Sequence, residues 1–200
     1  MNYDIETLWE GDYVSVISPK DNPYEALHEK DGVHVLPLNI DTLEVYIRSE
    51  VCPPYSVKES DSSIEEYFTV ISGGIEEGEQ PIDAALREVE EEAGLVMLKD
   101  PLMIPLTPQG IPFMKGTTQR VSTYLMLFDA ENVKEIEPEG DGTEYEARSL
   151  TFPVGFENGD IEEILKEPNC DYLLHALISK AKSVLSGERD LGIMSDPKED

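Results

Sequence analysis

Three closely set glutamates, Glu88, Glu91 and Glu92, concentrate the chemical capacity of this chain. They sit in the stretch GGIEEGEQPIDAALREVEEEAGL, which runs from Gly73 to Leu95. Pro81 suits the first turn of a helix, where its missing N–H is no loss, and Gly94 suits the residue just past the end. On such a helix Ile82, Ala85, Leu86, Val89 and Ala93 form one apolar stripe. Glu88, Glu91 and Glu92 fall together on the opposite side, with Glu88 and Glu92 one turn apart. Arg87 stands one turn before Glu91 and can pair with it. Clustered carboxylates repel one another unless a cation sits between them. Hard oxygen ligands favour Mg²⁺ or Mn²⁺, whose remaining positions go to water and phosphate oxygens. The plainer alternative is a solvated acidic face, in a chain that carries 43 Asp+Glu.

The flanking elements must hold that helix in place. Upstream, Glu66–Ile71 reads as a strand running into Gly73-Gly74. Before it, residues 1–12 read as irregular, Tyr13–Ile17 as a strand, and Val33–Leu38 with Thr42–Arg48 as a hairpin around Asn39-Ile40-Asp41. Downstream, Leu102–Ile104 is a short strand, and Arg120–Phe128, apolar on both faces, is a central one. Asp129–Gly142 is an acidic loop and Glu146–Val154 returns as a strand. Asp160–Lys166 begins a short helix broken by Pro168. Asp171 caps a last helix, with Leu173, Ala176, Leu177, Ala181, Val184 and Leu185 on its buried side. These elements give an α/β chain in three parts: an N-terminal antiparallel β unit over residues 1–60, a main domain over 61–186, and a disordered tail over 187–200.

Composition narrows the function. The net charge of −28 argues against a nucleic-acid surface, which needs a basic stripe, and against docking on an anionic membrane. No apolar run approaches the length of a membrane span, and MNYDIETLWE has neither the basic start nor the apolar core of a signal peptide. Cys52 and Cys170 lie far apart and outside any ligand spacing, so reduced thiols and a cytoplasmic location are expected.

Gly73, Glu79, Arg87, Glu88, Val89, Glu91, Glu92, Gly94 and Leu95 occupy every fixed position of a pattern that resembles the Nudix box. A solvated acidic face requires none of Gly73, Glu79, Arg87 and Gly94 at a fixed offset. The resemblance implies an α/β/α sandwich with a mixed sheet. It also implies metal-dependent hydrolysis of a nucleoside diphosphate linked to another group. By carry-over, Glu88 and Glu92 are the principal metal ligands and Glu91 a third, with the Ser72 carbonyl alongside. Arg87 and Glu79 orient the glutamates.

Outside the box, residues 11–186 resemble the ADP-ribose and ADP-sugar pyrophosphatases, through YVSVISP, VHVLPLN, VYIR, PLMIPLTPQG and GFENGDIEEIL. That branch implies cleavage to AMP and a sugar phosphate, and a homodimer formed through the N-terminal strands. Its Glu-x-Glu pair corresponds to Glu144 and Glu146. On that basis Glu144 is the general base and Glu146 a metal ligand, while other branches put the base at the position of Glu88. Arg48 corresponds to a substrate-binding arginine, although the chain reads Arg48-Ser49-Glu50-Val51 and lacks the branch's second arginine. Thr118-Gln119 stands where the branch has Ser-Glu. Tyr13, Tyr46 and Tyr55 are candidates to stack on a base. Dinucleoside polyphosphate hydrolysis, housecleaning of nucleotides and a non-catalytic nucleotide sensor are the alternatives.

Overall fold

The computed structural model describes residues 4–20, 24–51, 66–107, 110–138, 149–156 and 159–187. The strands before the carboxylate helix are β1 (Ile5–Glu10), β2 (Ser15–Pro19), β3 (Ala26–His28), β4 (Gly32–Asn39), β5 (Glu44–Val51), β6 (Glu66–Thr69) and β7 (Ile71–Gly74). Helix α1 (Pro81–Ala93) follows, then β8 (Leu95–Met97), β9 (Leu102–Pro105), β10 (Ile111–Pro112), β11 (Arg120–Phe128), β12 (Val133–Glu135) and β13 (Leu150–Gly155). Helices α2 (Asp160–Ile164) and α3 (Tyr172–Leu185) complete the described chain.

An eight-stranded sheet forms the centre, with β10-β11-β4-β5-β13 as its main path. It is mixed: β11 runs parallel to β4 from Val121↔Gly32 to Phe128↔Asn39, and the other pairings are antiparallel. Both faces are covered, which explains why β11 reads as apolar throughout. Val33, Val35, Tyr46, Tyr124 and Met126 meet Ala84, Ala85 and Val89 of α1 on one face. Leu36, Leu38, Val45, Ile47 and Leu125 meet Ile161 of α2 and Leu174, Leu177 and Ile178 of α3 on the other. The result is the expected α/β/α sandwich.

The hairpin after β4 turns at Asn39, whose Oδ1 accepts from the N–H groups of Asp41 (3.0 Å) and Thr42 (3.3 Å). Beyond the pairs Leu38↔Val45 and Asn39↔Glu44 the two strands part. The segment read as one strand over Glu66–Ile71 fills the gap in two pieces. β6 pairs with β5 from Arg48↔Thr69 to Val51↔Glu66, and β7 pairs with β4 from Gly32↔Gly74 to Val35↔Ile71. This wedge delivers Ser72 and Gly73 to the middle of the sheet, directly before α1.

Three expectations change. β4 and β5, read as part of the N-terminal unit, are central strands of the large sheet. The small antiparallel sheet is instead β1-β2-β3. Part of the segment read as irregular is the strand β1, whose six residues are all exposed; pairing with β2, not burial, makes it a strand. In α3 the fully buried positions are Leu174, Leu177, Ile178 and Ala181, while Ala176 and Leu185 face outward. Asp171 does cap this helix, its Oδ1 accepting from the Leu173 N–H at 3.0 Å. The proposed tail lies outside the described residues, apart from its first position.

Candidate functional site

Helix α1 spans the expected residues and ends for two reasons at once. Gly94 takes the left-handed conformation (φ 65°), and a β-carbon there would come within 2.1 Å of the Ile136 carbonyl oxygen. Its buried residues are Ala84, Ala85, Glu88 and Val89, while Ile82 is exposed. Glu88 is therefore not on the solvent side opposite the apolar stripe. On a helix it lies between Ala84 and Ala85, so the face that meets the sheet carries a carboxylate at one edge. That edge lies over β7. A β-carbon on Gly73 would meet Glu88 Cδ at 1.9 Å, so glycine is what lets the carboxylate lie there. Burial pushes the Glu88 carboxyl above the usual carboxylate range, against the opposing pull of Arg87.

Arg87 is the hub of the cluster. Its Nε donates to Glu79 Oε1 (3.0 Å) and its Nη2 to Glu79 Oε2 (3.2 Å), a forked pair. Nη1 donates to Glu88 Oε1 (2.7 Å) and Glu91 Oε2 (2.9 Å), and Nη2 also to the Gly74 carbonyl (2.8 Å). A guanidinium carries five N–H bonds, and every one is engaged. The bond to Arg87 holds Glu79 below the usual carboxylate range, and Glu79 raises Arg87 in return. Glu79 also accepts from the Glu76 N–H (2.9 Å), which fixes the loop before the helix.

Glu92 lies on the same flank. Its Oε2 accepts from the Ser72 N–H at 3.3 Å and its Oε1 lies 3.4 Å from Nη2 of Arg48. Arg48 is 1% exposed and also pairs with Glu50 at 2.9 Å. It lies beneath the carboxylates, enclosed by protein, with no surface to offer a substrate. Neither the Arg48–Glu92 contact nor the Gly73–Glu88 approach was part of the sequence reading. The only signal for the first was an arginine inside a strand segment, VYIRSEV; for the second, Gly73 itself.

Among the tyrosine candidates, Tyr46 is buried against Phe128, its ring centroid 5.9 Å away, and is unavailable for stacking. Burial, with Glu135 and Glu44 nearby, pushes its hydroxyl up to about 12. Tyr13 is 88% exposed. Tyr55, Glu144 and Glu146 lie outside the described residues.

On the other face of the sheet, a mainly apolar cavity of about 230 Å³ lies between β11 and α3. His34, Phe113, Thr123, Tyr172, Leu173 and Ala176 are among its lining residues. His34 sits opposite Ser72 in the β4–β7 register and meets Phe113 edge-on at 5.6 Å.

The donors fit a hard divalent cation in kind: carboxylates from adjacent turns of one helix, brought to a strand whose side chain is absent at Gly73. Among the described residues no group of three acidic, histidine or cysteine side chains is drawn together tightly enough to hold an ion. Arg87 spans Glu88 and Glu91 instead, and supplies positive charge there.

A model of the NUDIX domain matches residues 55–155. No curated protein matches the chain. Among solved structures, one described as the crystal structure of an ADP compounds hydrolase superposes with a TM-score of 0.65 at 15% identity, over 93% of this chain and 94% of that one. At that identity the likeness speaks for the fold.

Proposed function

This chain belongs to the NUDIX family of phosphoanhydride hydrolases, which act on nucleoside diphosphate-linked compounds, and on that premise we propose that its substrate is ADP-ribose or an ADP-sugar, cleaved to AMP and a sugar phosphate. The observation that carries the catalytic reading is the carboxylate cluster over Ser72–Gly73, organised by every N–H of Arg87. A sensor without catalysis needs no such arrangement. The choice of substrate is supported by the order of segments outside the box and by the late Glu144–Glu146 pair.

Glu88 and Glu92, with Glu91, the Ser72 carbonyl and Glu146, would hold Mg²⁺ or Mn²⁺. Bound there, the ion neutralises the phosphate oxygens and stabilises the leaving phosphate. The chain's own residues do the rest. Glu144 takes the proton from the attacking water, a role that requires hydrogen-bonding reach of that water. Arg87 and Glu79 keep the helix glutamates from swinging into solvent. The cavity beside His34 receives the base: its apolar walls suit a planar ring, and its volume is below that of a site enclosing a whole drug-sized ligand. We further propose a homodimer through the β1-β2-β3 sheet, where Ile5, Leu8 and Trp9 of β1 are exposed.

A substrate panel at equal concentration with Mg²⁺, read by product identification, tests the assignment. AMP plus ribose phosphate from ADP-ribose, faster than turnover of diadenosine polyphosphates or nucleoside triphosphates, is the expected result. The reverse ranking would overturn the substrate and leave the family intact.

A further inference from the structure

Arg48 is a cation in the middle of β5 whose side chain is 2% exposed. A charge so enclosed persists only where anions and hydrogen bonds replace its water. Its Nε reaches Glu50 Oε1 at 2.9 Å, and Nη2 reaches Glu92 Oε1 at 3.4 Å. Nη1 donates to Thr151 Oγ1 at 3.4 Å. Glu50 is held from behind, its Oε2 accepting from the Tyr67 hydroxyl at 2.8 Å. Glu92 is held from the front, its Oε2 accepting from the Ser72 N–H at 3.3 Å. A continuous polar relay therefore runs Tyr67, Glu50, Arg48, Glu92, Ser72. It joins β6, β5, the last turn of α1 and β7.

We propose that Arg48 is a positioning residue that aims the Glu92 carboxylate, and that Glu50 sets how strongly it does so. The inference rests on the reading that Glu92 holds a divalent ion. Glu92 lies one residue before the end of α1, where helices fray, and a free glutamate side chain samples many rotamers. Arg48 and the Ser72 N–H each take one oxygen, which fixes the carboxylate.

The two distances carry the second half of the argument. Arg48 is closer to Glu50 than to Glu92, so Glu50 compensates more of its charge than Glu92 does. Glu92 is oriented without being neutralised, and stays able to bind an ion. Without the Glu50 charge, Arg48 would close on Glu92 and compete for it. Lysine cannot replace arginine here, because an ammonium lacks the planar fork that serves Glu50, Glu92 and Thr151 in different directions at once.

The test is titration of the full chain with Mn²⁺ alone, free Mn²⁺ being read by electron paramagnetic resonance. Arg48→Lys and Glu50→Gln are each expected to raise the Mn²⁺ Kd about tenfold or more, the usual effect of removing a group behind a ligand. Both should also raise the Mg²⁺ requirement of hydrolysis, with kcat largely recovered at saturating Mg²⁺. Ile178→Ala, in the buried face of α3, serves as a control that lowers Tm by packing loss alone and should bind Mn²⁺ as the parent does. Unchanged Mn²⁺ affinity in Arg48→Lys and Glu50→Gln would overturn the proposal and leave the metal reading standing. So would equal weakening in Ile178→Ala at equal loss of Tm. Failure of the parent protein to bind Mn²⁺ would overturn the metal reading itself, and the proposal with it.

Discussion

The Glu88 carboxylate lies against the backbone of Gly73, so close that a β-carbon at that position would sit 1.9 Å from Glu88 Cδ. The main chain at Gly73 is ordinary strand, paired with Val33, and φ alone would admit alanine. Only the carboxylate forbids it. Gly73→Ala should therefore leave the fold intact and push Glu88 off its seat. We expect hydrolysis to fall by about 10- to 100-fold, with weaker Mn²⁺ binding, as when a ligand is misaimed. Circular dichroism with a Mn²⁺ titration checks both halves; full activity would mean that Glu88 works from another rotamer.

Glu144→Gln and Glu88→Gln separate the base from the ligand. Glu88 is buried and bonded to Arg87, whereas Glu144 belongs to the segment preceding β13. Glu144→Gln is expected to lower kcat strongly and leave KM and metal affinity nearly unchanged. Glu88→Gln should instead raise the Mg²⁺ requirement. Rates measured across a Mg²⁺ titration distinguish the two, because added metal rescues a weakened ligand set and not a missing base. A harmless Glu144→Gln, with Glu88→Gln inactive and still metal-bound, would move the base onto α1.

Burial holds His34 down at about 4, from an ordinary value of 6.5, and outweighs the opposing pull of Asp171. A base whose folded value is depressed contributes its full stability above the unfolded value. Between pH 6.5 and 4 the unfolded chain takes up a proton that the folded chain refuses, so stability falls as pH falls. The loss approaches about 3 kcal/mol at the acid end, from roughly 1.4 kcal/mol for each pH unit of separation. Carboxylates titrate over the same range, so the measurement is a difference. Urea unfolding of the parent and of His34→Gln at several pH values should show the parent losing its advantage through this window. Parallel curves would mean that the imidazole charges freely in the folded state.

Ala176 lines the cavity beside His34 yet faces outward from α3, so a larger side chain there need not disturb the core. Ala176→Phe should fill the cavity and raise KM for ADP-ribose about tenfold or more, roughly the effect of losing 1.4 kcal/mol of binding. The Mn²⁺ affinity should not change. Steady-state kinetics decide it: an unaltered KM would place the base elsewhere.

Much of this was legible in the sequence, for reasons that differ by element. α1 and β11 were read to the residue because each carries a strong local signal: Pro81 and Gly94 bracket the one, and an unbroken apolar run marks the other. The carboxylates were legible because spacing along a helix is geometry. Their surroundings were not. Helical periodicity alone put Glu88 opposite the apolar stripe, yet the helix is rolled so that Glu88 faces β7. Roll is decided by what the helix packs on, not by its own pattern. Arg48 failed likewise: a charged residue in a strand gives no hint of which carboxylates, distant in sequence, will enclose it. β4 and β5 looked like a free-standing hairpin because their turn is local, whereas the wedge of β6 and β7 between them is not.

That wedge bears on how the protein comes into being. β7 rests on β4, and the other edge of β4 is covered by β11, which is made much later. A nascent chain that has reached Gly116 already contains every residue of the acidic box, yet the platform beneath it is missing one side. Contacts between segments so remote in sequence form late, after the loop between them has closed. Uptake of Mn²⁺ during refolding would then lag behind the appearance of helix. The ion would act as a clock on the closing of the sheet, not as a seed for it.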